Sequence, residues 1–127
     1  MQEKYLYEYA VIRVLPVVER EEFLNVGIIV FCKKANFIKV YFNVNQDKLN
    51  CFSNDVDIEE LFLNLASMQK IADGNKEAGL IAQQDIPSRF RWLTAVRSSA
   101  IQTSRPHPGL SNDLEQTTLK LFEELVL

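Results

Sequence analysis

At 127 residues, with 47% hydrophobic and 24% charged side chains, the chain has the size and composition of one globular domain, residues 1–127, able to bury a core without disulfide or metal staples. A net charge of −3 argues against a general nucleic-acid coat or an anionic-membrane binder, while leaving room for a local basic patch. No basic region followed by a long apolar run opens the chain, and no apolar run reaches about 18 residues. Cys32 and Cys51 show no metal spacing, so the expectation is a cytoplasmic protein with two free, buried thiols.

Tyr5 to Leu15 reads as the first strand, with Tyr5, Tyr7, Tyr9 and Val11 on one face and Leu6, Ala10, Ile12 and Val14 on the other. The tyrosine stripe is either an amphipathic sheet surface or a stacking platform for bases, and the first is the commoner use. Pro16 ends the pairing. The stretch Phe23 to Cys32 is apolar at nearly every position and rich in β-branched residues, which predicts a central strand covered on both faces. The connection from Val17 to Glu22 is too short for a crossover helix, so the first two strands are antiparallel neighbours. A turn at Lys34–Asn36 leads to a third strand from Phe37 to Val44, with Ile38, Val40, Phe42 and Val44 on one face. Gly27 marks a bulge or a close backbone approach in the central strand, not a phosphate loop.

Residues 46–52 predict a short helical turn. Asp57 and Glu60 have the spacing of a capping box, and Ile58, Leu61, Phe62, Leu65 and Met68 follow at helical intervals to a stop at Asp73–Gly74. Residues 75–86 read as a loop, 87–93 as a short helix or turn, and 98–104 as a fourth strand. Residues 105–109, with two prolines, read as a stiff loop. The last helix is capped by Asn112, with Glu115 completing the box and Leu114, Leu121, Phe122, Leu125 and Val126 forming its buried stripe. The predicted fold class is α+β: an antiparallel sheet of about four strands with two main helices packed on it. Two helices on one face would leave the other face of the central strand to loops or a second subunit, which points to a homodimer.

Residues 9–16 (YAVIRVLP), 19–27 (EREEFLNVG), 89–95 (RFRWLTA), 97–102 (RSSAIQ) and 121–126 (LFEELV) together resemble an uncharacterised bacterial family, the domain of unknown function DUF3037. The likeness covers nearly the whole chain. It implies a small cytoplasmic bacterial protein with a protein partner of the kinase-like toxin type, by genomic association. It implies no activity and no catalytic residue.

The charge pattern supplies the candidate site. Between Ile86 and Asn112 there is no Asp or Glu but there are four arginines, Arg89, Arg91, Arg97 and Arg105, so the rest of the chain stands at −7. Arginine's planar fork suits carboxylate or phosphate and stacks on aromatic rings. Trp92 and the neutral donors Ser98, Ser99, Gln102, Thr103 and Ser104 lie in the same window. This chemistry suits a phosphate-bearing ligand or an acidic segment of a partner, and equally suits ion pairs with Glu19, Glu21 and Glu22. Arg13 and Asn25 interrupt two adjoining apolar strands. They either pair with Glu19 or Glu22, or line the mouth of a cleft.

No metal-ligand or nucleophile pattern stands out. Glu19, Glu21 and Glu22 could hold a divalent ion for hydrolase chemistry, but a charged turn is usually just solvated. His107, between two prolines, has no marked nucleophile partner. The sequence therefore favours a non-enzymatic protein-interaction module without cofactor or metal. The alternatives are a phosphate or nucleic-acid binder using the window from Arg89 to Arg105, and a metal-dependent hydrolase using Glu19 and Glu22.

Overall fold

The computed structural model describes residues 4–16, 20–52, 56–95 and 100–127. Three long strands form the middle of the sheet: β1 (Tyr5–Val14), β2 (Leu24–Cys32) and β3 (Phe37–Phe42). They run antiparallel in the order β3-β2-β1, so the apolar stretch of β2 is the interior strand. Val26, Ile28, Ile29 and Val30 are fully buried and Cys32 nearly so. The other free cysteine, Cys51, is exposed, which corrects the expectation of two buried thiols. It stands on a short helix, α1 (Gln46–Phe52), whose buried anchor is Leu49.

The outer edge of β1 is shared by two short strands. β5 (His107–Ser111) pairs with Tyr5–Tyr9, and β4 (Ile101–Thr103) pairs with Ile12–Val14. Ser104 bridges the gap between them. Its N–H donates to Val11 O at 2.8 Å, and its hydroxyl accepts from Val11 N at 2.9 Å. β5 overturns the reading of residues 105–109 as a loop. Pro108 lies on an edge strand, where a missing N–H is tolerated. Gly109 lies flush against Tyr7, so close that a Cβ would fall 2.5 Å from the phenol ring.

The longest helix, α2 (Ile58–Asp73), begins where expected: Asp57 accepts from Glu60 N at 3.1 Å. It ends on Gly74 at φ 72°, a left-handed position that glycine takes without Cβ strain. Two 3-10 turns, Lys76–Ala78 and Ile81–Gln83, occupy the predicted loop. They lead to α3 (Ile86–Leu93), capped by Asp85. The last helix, α4 (Leu114–Leu125), is capped by Asp113 and not by Asn112. Asp113 has the extended backbone of a cap and accepts from Gln116 N at 3.1 Å.

The helices divide between the two faces of the sheet. α2 and α3 close a core with Ile12, Val14, Val26, Ile29, Ile38 and Val40, in which Phe31 and Phe90 stack at 4.7 Å. α4 covers the opposite face, where Leu114 meets Tyr7, Ile28, Val30 and Cys32. Burial and the neighbouring Tyr9 push the Tyr7 phenol above its ordinary pKa. The central strand is thus covered on both faces within one chain, while Leu6 and Leu110, ladder partners of β1 and β5, stay exposed. This removes the physical ground for a second subunit, which assumed both main helices on one face. Among the described residues, no helix is long and apolar enough to cross a membrane.

Candidate binding site

One cleft stands out among the described residues. It lies between α2, the end of α3 and the β4 edge, with a volume of about 600 Å³. Its apolar walls include Val14, Leu61, Met68, Ile71, Leu93 and Ile101. Its polar wall is a stripe on α2: Asp57, Glu60, Asn64 and Ser67, spaced to share one helix face. Trp92, 38% exposed, and Gln102 also line it. The ionised side chains among its described lining residues are both acidic, Asp57 and Glu60. Along its described lining the cleft therefore joins an apolar floor to two carboxylates.

The structure distributes the sequence's candidate residues among several places. Trp92 and Gln102 both border the cleft, Gln102 from the β4 edge, where its ladder partner is Arg13. Arg89 points elsewhere: its Nη1 donates to Ile71 O at 3.2 Å and to Ala72 O at 2.9 Å, the carbonyls of α2's last turn. A cation there also opposes the helix dipole. Arg91 is exposed and donates to Ser88 Oγ at 3.3 Å. Ser88 in turn donates to Asp85, from its hydroxyl and its backbone N–H, and these bonds hold the Asp85 carboxyl below its ordinary pKa, helped by Arg91 and Arg89. Arg105 is exposed between β4 and β5. Arg97, with Ser98 and Ser99, lies outside the described residues. The described arginines of the window thus do not converge on one pocket.

Arg13 and Asn25 meet on the α4 face as ladder partners, and Gln102 is Arg13's partner on the other side. The expected pairing of Arg13 with Glu22 is absent; Glu22 binds Arg20. Arg13 instead sits over the Phe23 ring, 4.1 Å from its centroid. Glu19 lies outside the described residues. Among those described, no group of three His, Cys, Asp or Glu side chains is placed to hold a metal ion.

The α2 stripe is the part that sequence reasoning missed. Its spacing was visible, but a polar stripe beside an apolar one is also what any solvated helix face shows. Only the position of β4 and Trp92 turns it into a wall.

A small α+β domain with a two-sided sheet and an amphipathic cleft is the class that this fold and site define. The chain belongs to the family described as Protein of unknown function (DUF3037), whose model matches residues 9–126. No curated protein matches it, and no solved structure does.

Proposed function

We propose that the chain is a non-enzymatic interaction module that seats a short segment of a partner protein in the cleft between α2, α3 and β4. The observation that carries this reading is the lining itself: about 600 Å³ with an apolar floor, a tryptophan at its edge and two carboxylates on its rim. Pockets that bind by shape and a few oriented polar groups have this composition, and aromatic anchors supply much of the energy at protein interfaces. The charge selects the occupant. An apolar side chain flanked by Lys or Arg complements the Asp57–Glu60 rim, whereas an acidic or phosphate-bearing segment is repelled by it.

The test is selection of short random peptides on the immobilised full chain, followed by titration of the selected sequences against Trp92 fluorescence. The expected peptides join an apolar residue to a basic one. Glu60→Lys should weaken their binding by about tenfold, the size of effect that close charge pairs reach at interfaces. Selection of acidic peptides, or binding unchanged in Glu60→Lys and in Trp92→Ala, the latter read by anisotropy of a labelled peptide because Trp92 is the only tryptophan, overturns the reading.

A further inference from the structure

On the opposite face of the sheet, an unneutralised charge and two unmet hydrogen-bonding groups lie together. Asn25, Arg13 and Gln102 form a row across β2, β1 and β4, and directly opposed residues hold their Cβ atoms about 5 Å apart. Arg13 is half-buried and presents a planar guanidinium fork. Among the described residues it has neither a carboxylate partner nor a hydrogen-bond acceptor; the group it rests on is the Phe23 ring. Its Nε is buried and donates to nothing, and the neighbouring Asn25 Oδ1 is buried and accepts nothing.

The orientation of the Asn25 amide is fixed. Its Nδ2 donates to Leu125 O, in the last turn of α4, at 3.1 Å. Reversing the amide would set two oxygens against each other, so the atom left over must be an acceptor. The row therefore lacks two things: acceptors carrying negative charge for Arg13, and one donor for Asn25. Leaving such groups buried and unmet is costly.

The missing chemistry is specific. The Phe23 ring covers one face of the guanidinium, and the acceptor that matches a guanidinium's planar edge with two bonds is a carboxylate. Sulfate has the acceptors but, fully ionised at neutral pH, has no proton to give Asn25 Oδ1. A carboxylate with an N–H beside it meets both needs. We propose that Arg13, Asn25 and the Phe23 ring form a binding site for a carboxylate flanked by an N–H donor, the grouping found at the C-terminal residue of a peptide chain and in a free amino acid. Arg13 Nε and Asn25 Oδ1 are closed off from solvent, and Phe23, 44% exposed and outside the strand ladder, is the side chain whose displacement would open them. The site uses neither the α2 wall nor Trp92, and it stands or falls independently of the cleft.

The experiment follows the Arg13 Nε–Hε resonance in the ¹⁵N-labelled full chain, assigned by its loss in Arg13→Lys. N-acetylglycine is titrated against acetate, which has the charge without the N–H, against N-acetylglycine methyl ester, which has the N–H without the charge, and against sulfate, which has anionic acceptors and no donor. The expected result is a saturable shift with N-acetylglycine, affinity roughly three- to tenfold weaker for acetate, as loss of one hydrogen bond dictates, and no shift with the ester. Tighter binding of N-acetylglycine than of glycine assigns a chain end; the reverse assigns a free amino acid. Asn25→Asp, which gives Arg13 an internal counter-ion, should abolish the response while the spectrum stays folded. An unmoved Arg13 resonance in the folded wild-type protein, or equal affinity for acetate or sulfate, overturns the proposal.

Discussion

Replacing Arg89 by alanine separates a structural arginine from a ligand-binding one. Nη1 of Arg89 donates to Ile71 O and Ala72 O at 3.2 and 2.9 Å, in a part-buried setting. Hydrogen bonds from a charged donor contribute about 1.5–3 kcal/mol. Two effects pull the net figure below the sum of two such bonds. Both bonds come from one nitrogen, and truncation also removes Nε, which is buried without a partner. A loss of about 2 kcal/mol follows, or roughly 8 °C in Tm at about 4 °C per kcal/mol for a chain of this size. Urea unfolding followed by far-UV circular dichroism gives the number, with Trp92 fluorescence as the second probe for a two-state transition. Arg91→Ala is the internal control, because its bond to Ser88 is long and lies at an exposed site; it should cost under about 0.5 kcal/mol. A loss below about 0.5 kcal/mol for Arg89→Ala, or an equal loss for Arg91→Ala, refutes the assignment of Arg89 to the end of α2.

Two further outcomes are open to measurement. Gly27→Ala places a Cβ 2.6 Å from Tyr41 O, a backbone atom held in the β2–β3 ladder; it should cost about 2–3 kcal/mol by urea unfolding. Gly79→Ala meets nothing within 4 Å, yet φ 92° and ψ −169° place it in a backbone region essentially restricted to glycine, so a cost of about 1–3 kcal/mol from strain alone is expected there, and an alanine tolerated at no cost would count against that reasoning. The Asp85 carboxyl is held below its ordinary value of 3.8 by the Ser88 hydroxyl and N–H, with help from Arg91 and Arg89. A depressed carboxyl stabilises the fold above its unfolded pKa, and that contribution disappears as pH falls through the folded one. Asp85→Asn keeps a capping oxygen but not the charge, so its difference from the wild type should be present at neutral pH and shrink below about pH 4; a difference constant with pH would contradict the linkage.

What the sequence could show depended on how local the cause was. The β2 stretch was legible because nearly unbroken apolarity from Phe23 to Cys32, rich in β-branched residues, suits a strand buried on both faces and little else. The α2 boundaries were legible because Asp57 and Gly74 act on backbone groups within a few residues of themselves. β5 was not, since Pro108 and Gly109 spell a loop locally, and only the flat approach of Gly109 to Tyr7, near the other end of the chain, makes glycine the right choice. The Arg89 acceptors lie 17 and 18 residues back in the chain, so composition could show a window of arginines without showing that one of them closes a helix. The face covered by α4 was equally hidden, because a buried stripe says that a helix packs and not on which side.

The pairing of Arg13 with Asn25 depends on a single irregularity in the sheet. Along β2, Ile28, Val30 and Cys32 face α4, while Ile29 and Phe31 face α2 and α3. Strict alternation would carry Val26 to the α4 side and turn Asn25 into the larger core. The register instead shifts between Ile12 and Arg13, with Gly27 opposite Ile12 and Asn25 opposite Arg13. Val26 is the extra residue, and it is fully buried in the core under α2. The bulge therefore resolves two conflicts at once: it keeps an asparagine out of an apolar core, and it sets that asparagine beside the half-buried arginine and the end of α4. Gly27 is the residue that makes this geometry accessible, since any Cβ there would press on Tyr41 O and on Ile12. A local backbone defect in the most apolar strand of the chain is thus what assembles its most polar buried row.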